Sequence, residues 1–290
     1  MLELEHGFRV VDVHSHLDPD ETAVARHGRD ISPERLEREC HQAGIVRTAV
    51  APSPVAESRS YLRANNAVAR LSVDRPFLAF ARITGPLEPA VGPGAQLKNL
   101  ATTQLRSLSD TPLEEVAVRS DHYTTPDDVE QYAYDRRFHG FVIDPIYDGM
   151  PDEDVVETLE SVGAPVLAVP RPGCPPEVIV DLLLPASYPV IMAGFGGFPM
   201  DRSRMERSID LLSEFDSLYL DTWFVRYRNV LKRGLLEHPD RILFGSGGPE
   251  VHPNVAVMEI LTLDVSQDAM HRVFSKNPSR VIPGLSPGGE

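Results

Sequence analysis

The sequence predicts one α/β domain, a (β/α)8 TIM barrel. Three observations lead there. Its 290 residues are close to the roughly 250 typical of one such barrel. Eight short apolar runs recur along the chain, each followed by a segment of helical periodicity. Several of the runs (165–169, 189–193 and 241–245) are apolar without alternation, as strands buried on both faces are. An open doubly wound sheet is the fallback. No Gly-x-Gly-x-x-Gly or phosphate-loop motif follows an early strand, so nucleotide binding has no support.

The first strand is the run 9–18, Arg9-Val10-Val11-Asp12-Val13-His14-Ser15-His16-Leu17-Asp18. Alternate side chains of a strand leave on one face, so Asp12, His14 and His16 are expected on one wall. Two imidazoles preceded by a carboxylate are the beginning of a divalent-metal site. Ser32-Pro33-Glu34 then reads as N-cap, N1 proline and acidic first turn of a helix that stops at Gly44. Strand two is 45–51, a helix covers 59–71, and strand three is 77–83. The segment 85–120 is Pro/Gly-rich at its start and lacks clean periodicity. It is longer than an ordinary βα loop and reads as an insertion after strand three, serving as a lid, binding loop or small subdomain.

Thr125-Pro126-Asp127-Asp128 caps the next helix, and 139–145 is strand four. The second half alternates more regularly. Its helices are 154–162, 177–184, 203–215 and 225–236, and its strands are 165–169, 189–193, 218–221 and 241–245. Two final helices, 254–263 and 267–274, end where Asn277-Pro278 breaks the pattern. The domain is therefore 1–282, with 283–290 a frayed tail.

Composition narrows the function classes. The formal charge is −15, from 28 basic and 43 acidic residues, which argues against nucleic acid and anionic membranes as partners. Lys98, Lys232 and Lys276 are the only lysines, and an arginine-weighted acidic surface suits a salt-rich cytoplasm; a GC-rich genome gives the same bias. No apolar stretch approaches the roughly 18 residues of a membrane span, and the N-terminal residues lack a signal-peptide pattern. A cytoplasmic protein is expected. Two cysteines make no disulfide framework: Cys40 reads as core, and Cys174 as a loop residue near a strand end.

Asp12-Val13-His14-Ser15-His16 on strand one, Asp240-Arg241-Ile242-Leu243-Phe244-Gly245-Ser246 at strand eight and the closing Asn277-Pro278-Ser279-Arg280 resemble the amidohydrolase superfamily. The closest branch is that of the amidohydrolase-related (amidohydrolase 2) metal-dependent hydrolases, which also includes decarboxylases. The resemblance covers nearly the whole chain, least well over 85–120. It implies a TIM barrel with one or two divalent ions, zinc foremost, held by the paired histidines of strand one, a histidine after strand five, another after strand six and an aspartate after strand eight. His14 and His16 match as metal ligands. The other three positions fall on Val169, Gly194 and Gly247. A catalytic metal normally has about three protein ligands and an open position for water, and the aspartate would also be the general base. The usual mechanism therefore lacks its parts here.

Substitutes at strand ends are Asp144 as third ligand or base, Arg171 as partner of a substrate carboxylate, and Trp223 as a pocket wall. Asp18, Asp221, Glu250 and His252 are further candidates. The resulting expectation is a metal-dependent hydrolase of a C–N or ester bond with an atypical site and a small polar substrate. The rivals are a barrel that no longer catalyses and serves as a ligand-binding or partner subunit, a related lyase or decarboxylase, and a deoxyribonuclease. Self-association into a homo-oligomer stays open.

Overall fold

Eight parallel strands pair in chain order: β1 (Val10–Leu17), β2 (Ile45–Pro52), β3 (Phe77–Arg82), β4 (Phe138–Ile143), β5 (Val166–Ala168), β6 (Val190–Met192), β7 (Leu218–Asp221) and β8 (Ile242–Leu243). The computed structural model describes residues 4–17, 32–54, 61–89 and 123–286. β8 closes on β1 through backbone bonds rather than a regular ladder. Val13 N–H donates to Phe244 O (2.9 Å), Gly247 N–H to His14 O (2.8 Å) and His16 N–H to Gly248 O (2.7 Å). The sheet is a (β/α)8 barrel. Every residue of β1, β3, β5, β6 and β8 is buried, and the continuous apolar runs are what such strands require.

The helices are α1 (Pro33–Gln42), α2 (Leu62–Leu71), α3 (Pro126–Tyr134), α4 (Pro145–Asp148), α5 (Glu153–Val162), α6 (Pro176–Leu183), α7 (Arg202–Leu211), α8 (Arg228–Glu237), α9 (Pro253–Leu261), α10 (Gln267–His271) and α11 (Asn277–Val281). The predicted caps form. Ser32 Oγ accepts from Arg35 N, and Thr125 and Asp128 make a reciprocal capping box. Gly163 ends α5 at φ +69°.

Several boundaries differ from the sequence reading. β4 ends at Ile143 because Pro145 has no N–H for the ladder, and Asp144 becomes the residue that opens α4. Asn277-Pro278 does not break the chain's last helical stretch. A π-turn over Arg272–Lys276 leads into α11, where Pro278 sits in the first turn, which needs no N–H there. The tail is packed rather than frayed as far as it is described. Pro283–Leu285 forms a 3-10 turn and Leu285 is buried, while 287–290 lie outside the described residues. Most of the expected insertion, and Asp18, also lie outside them. Among the described residues no helix is long and apolar enough to cross a membrane.

Candidate functional site

Strand β1 carries two separate polar constellations, because a register shift between Asp12 and Ser15 interrupts its alternation. Asp12 therefore does not share a wall with the imidazoles. Its Oδ1 accepts from the amides of His14 (3.0 Å) and Ser246 (2.8 Å). Its Oδ2 faces the hydroxyls of Ser15 (2.8 Å), Thr48 (3.0 Å) and Ser246 (2.6 Å). Burial pushes the Asp12 carboxyl up, and the bonds from Ser246, His14 and Ser15 pull it down without cancelling that effect. Asp12 is a clasp between β1, β2 and the exit of β8. It has no lone pair left over for an ion.

His14 and His16 form the second constellation, both buried. Asp221, at the end of β7, accepts from His14 Nδ1–H at 2.7 Å. That fixes the tautomer and leaves Nε2 facing His16 Nε2 at 3.1 Å. The ring centroids are 4.9 Å apart with planes at 88°. Asp221 Oδ1 meanwhile accepts from the amides of Gly194 (2.7 Å) and Trp223 (2.9 Å). One carboxylate thus orients the histidine pair and anchors the turns after β6 and β7. Both turns carry left-handed backbone, at Gly194 (φ +58°), Phe195 (φ +52°) and Phe224 (φ +56°). Non-glycine residues hold that conformation only where their surroundings enforce it.

Trp223 lies over this pair, fully buried. Its ring sits 4.8 Å from that of His14 and stacks on Phe198 at 4.4 Å and 8°. It also fills the space beside Gly247 (φ +65°). A Cβ there would lie 1.9 Å from Trp223 Cδ1 and 2.1 Å from Nε1, far inside contact distance. A Cβ at Gly194 would come 2.8 Å from Trp223 O. Val169 is buried and apolar. Trp223 Nε1 is buried with no hydrogen-bond acceptor among the described residues.

Beyond the tryptophan stands a group of charges. Arg171, after β5, has its guanidinium carbon 4.7, 5.3 and 5.8 Å from the rings of Tyr147, Phe198 and Trp223. Its Nε donates to Asp144 Oδ2 (2.8 Å), while its Nη hydrogens meet no acceptor among the described residues. Arg82 Nη2 donates to the same Asp144 oxygen (3.2 Å), and Arg82 Nε to Asp148 (2.7 Å), which also accepts from Tyr61. Asp144 Oδ1 is buried without a donor among the described residues. Burial raises Asp148 to about 6, against the pull of Arg82. For Arg82 desolvation works downward, but Asp148, Tyr61 and Asp144 outweigh it and hold the guanidinium charged.

The structure therefore brings five sequence-predicted residues into one contact chain: His16, His14, Trp223, Arg171 and Asp144. It does not bring Asp144 to the histidines as a third ligand, since two arginines hold its Oδ2. Glu250 is exposed, and His252 caps α9 by accepting from Asn254 N. Sequence reasoning passed over Arg82, Asp148, Tyr61, Tyr147 and Phe198. Arg82 had a legible signal, a charge closing the apolar run Phe77–Ala81, which a buried strand tolerates only when paired.

A divalent ion does not fit the described residues. Two imidazole nitrogens face one another, but no group of three His, Cys, Asp or Glu side chains suited to an ion occurs among those residues. The volume next to them belongs to Trp223.

No family model and no curated protein matches the chain. Solved structures match its fold. A 2,6-dihydroxybenzoate decarboxylase from Rhizobium superposes with a TM-score of 0.62 at 16% identity, covering 95% of this chain and 99% of that one. A dihydroxybenzoic acid decarboxylase from Polaromonas, with bound manganese and an inhibitor, gives 0.62 at 16% identity over 95% and 97%. A protein assigned as a 2-pyrone-4,6-dicarboxylic acid hydrolase from Pseudomonas putida gives 0.61 at 13% identity over 98% and 100%. The neighbours include decarboxylases and proteins assigned as hydrolases or an amidohydrolase, and the resemblance read from the two ends of the sequence agrees with them at the level of the fold.

Proposed function

We propose that this chain is an amidohydrolase-like barrel enzyme that acts on a small carboxylated substrate at the C-terminal mouth of the barrel, by proton transfer and without a resident divalent ion. The observation that carries the reading is hydrogen-bonding capacity left unspent in a buried site. Trp223 Nε1 and Asp144 Oδ1 are buried with no partner among the described residues, and Arg171 Nη meets no acceptor among them. Buried polar groups are normally paired, so a ligand is the natural complement. Three structural neighbours bear names that refer to carboxylated ring compounds, which favours a carboxylate as the group that Arg171 receives.

The residues divide the work by position. Arg171 is held by Asp144 through Nε, which leaves its Nη edge to pair with a substrate carboxylate. Tyr147, Phe198 and Trp223 form apolar walls around the guanidinium. The chain Asp221–His14–His16 conducts a proton between the barrel interior and the mouth, where His16 serves as general base toward water attacking an ester or C–N bond.

Protein purified without chelator, then treated with a strong chelator, is assayed on a panel of small carboxylated esters, lactones and amides. Turnover is expected to survive chelation. It should fall about 10²–10⁴-fold in His16→Asn, and Arg171→Gln should raise KM about tenfold or more. Activity that disappears on chelation and returns with zinc or manganese would restore a metal-dependent hydrolase. The volume taken by Trp223 favours one second reading, a ligand-binding barrel without catalysis; binding of panel members without turnover would establish it.

A further inference from the structure

We infer that Trp223 inverts the polarity of the site: its indole N–H, set in the volume that a side chain at position 247 would fill, is a donor to an anion, so that together with Arg171 it binds a carboxylate oxygen where the resemblance would place a cation. The inference rests on the carboxylate reading above and adds a second recognition residue to it.

Three observations converge. First, the indole and any side chain at 247 exclude one another, because a Cβ there would overlap Cδ1 and Nε1 at 1.9 and 2.1 Å. Second, the ring is fixed on several sides. Its backbone amide donates to Asp221 Oδ1 at 2.9 Å, Phe198 stacks on it, and His14 lies 4.8 Å away. A ring so held cannot swing to find an acceptor. Third, Nε1 is buried with no acceptor among the described residues, and a buried donor left unpaired is costly.

The neighbouring charge has the matching sign. Arg171 Cζ is 5.8 Å from the Trp223 ring, and its Nη hydrogens meet no acceptor among the described residues. The carboxylate paired with Arg171, Asp144, already gives Oδ2 to two arginines. A divalent cation beside these two donors would face the positive ends of an indole N–H and a guanidinium.

Trp223 is the only tryptophan, so the protein has a single indole N–H resonance. The test is titration of the ¹⁵N-labelled full chain with benzoate, with acetate and with zinc ion, followed by calorimetry on variants. The indole proton is expected to move downfield and saturate with the carboxylates and to stay in place with zinc. Trp223→Phe, which keeps the stack on Phe198 and removes the N–H, is expected to weaken benzoate binding about tenfold or more. Arg171→Gln should do the same. If Trp223→Phe does not fold, the wild-type indole shift decides alone. Benzoate binding that depends on Arg171 but leaves the indole resonance and the Trp223→Phe affinity unchanged would overturn the inference and leave the carboxylate reading standing. Stoichiometric zinc binding that shifts the His14 and His16 ring nitrogens would also overturn it. Absence of binding by either carboxylate would overturn the inference and that reading together.

Discussion

A side chain placed at Gly247 must displace the ring of Trp223 and adopt φ +65° at the same time. Restoring an aspartate there, Gly247→Asp, is therefore expected to destabilise the protein by about 3 kcal/mol or more, from left-handed backbone and overpacking combined. Urea unfolding of the variant beside wild type measures the difference; a loss below about 1 kcal/mol would mean that the indole moves aside easily. Part of this site was legible residue by residue. His14 and His16 stood out by spacing, and Asp144, Arg171 and Trp223 by their places at strand ends. The pairing of Gly247 with Trp223 was not legible, because nothing local links a glycine to a tryptophan 24 positions earlier. Only the packing of the turn after β7 against the exit of β8 brings them together.

Closure of the barrel is an element-scale problem, since β8 is two residues long and offers β1 little ladder. The Asp12 carboxylate compensates by gathering donors from β1, β2 and the segment after β8. Removing it leaves several buried donors without an acceptor. Asp12→Ala is expected to cost about 3–5 kcal/mol, a loss of the size seen when one partner of a buried charged network is deleted. Thr48→Val, which removes one hydroxyl at similar volume, should cost about 1 kcal/mol. Denaturant midpoints for the two variants check the order, and equal costs would show that the clasp is not cooperative. The alternation of strands and helices was readable because burial on both faces demands uninterrupted apolar runs. The bulge between Asp12 and Ser15 was not, because a period-two pattern assumes an unbroken register.

At the scale of the whole molecule, stability should depend on pH through the buried charges beside β3 and β4. Asp148 is raised by burial from 3.8 to about 6. The folded chain therefore binds a proton there more tightly than the unfolded chain does. The corresponding stability is fully present below about pH 4 and is lost as pH rises through 6, a change of about 3 kcal/mol. Asp148→Asn cannot ionise and should lack this contribution, so the stability difference between variant and wild type should shift in the variant's favour between pH 4 and pH 6.5. Chemical denaturation at those two pH values tests it, and a difference that stays constant would place the Asp148 proton elsewhere. The fold itself was legible in the sequence because chain length, strand count and apolar runs all point to one architecture. The charge group was not, because its members come from β3, α4, the N-cap of α2 and the turn after β5, each unremarkable where it stands.

The packed turn at Pro283–Leu285 bears on how the barrel is assembled. Leu285 enters the core, and Arg47, at the start of β2, donates to the carbonyls of Gly284 and Ser286. Gly284 fits so closely against His139 and Leu78 that a Cβ there would come within 2.6 Å of both. These contacts gather the N-terminal ends of β2, β3 and β4, so the turn is the floor of the barrel. It also follows all eight strands in the chain. During synthesis the strands emerge before the piece that seals them from below. Until residues 283–286 leave the ribosome, the contacts of Leu285 and Arg47 that close the base cannot form.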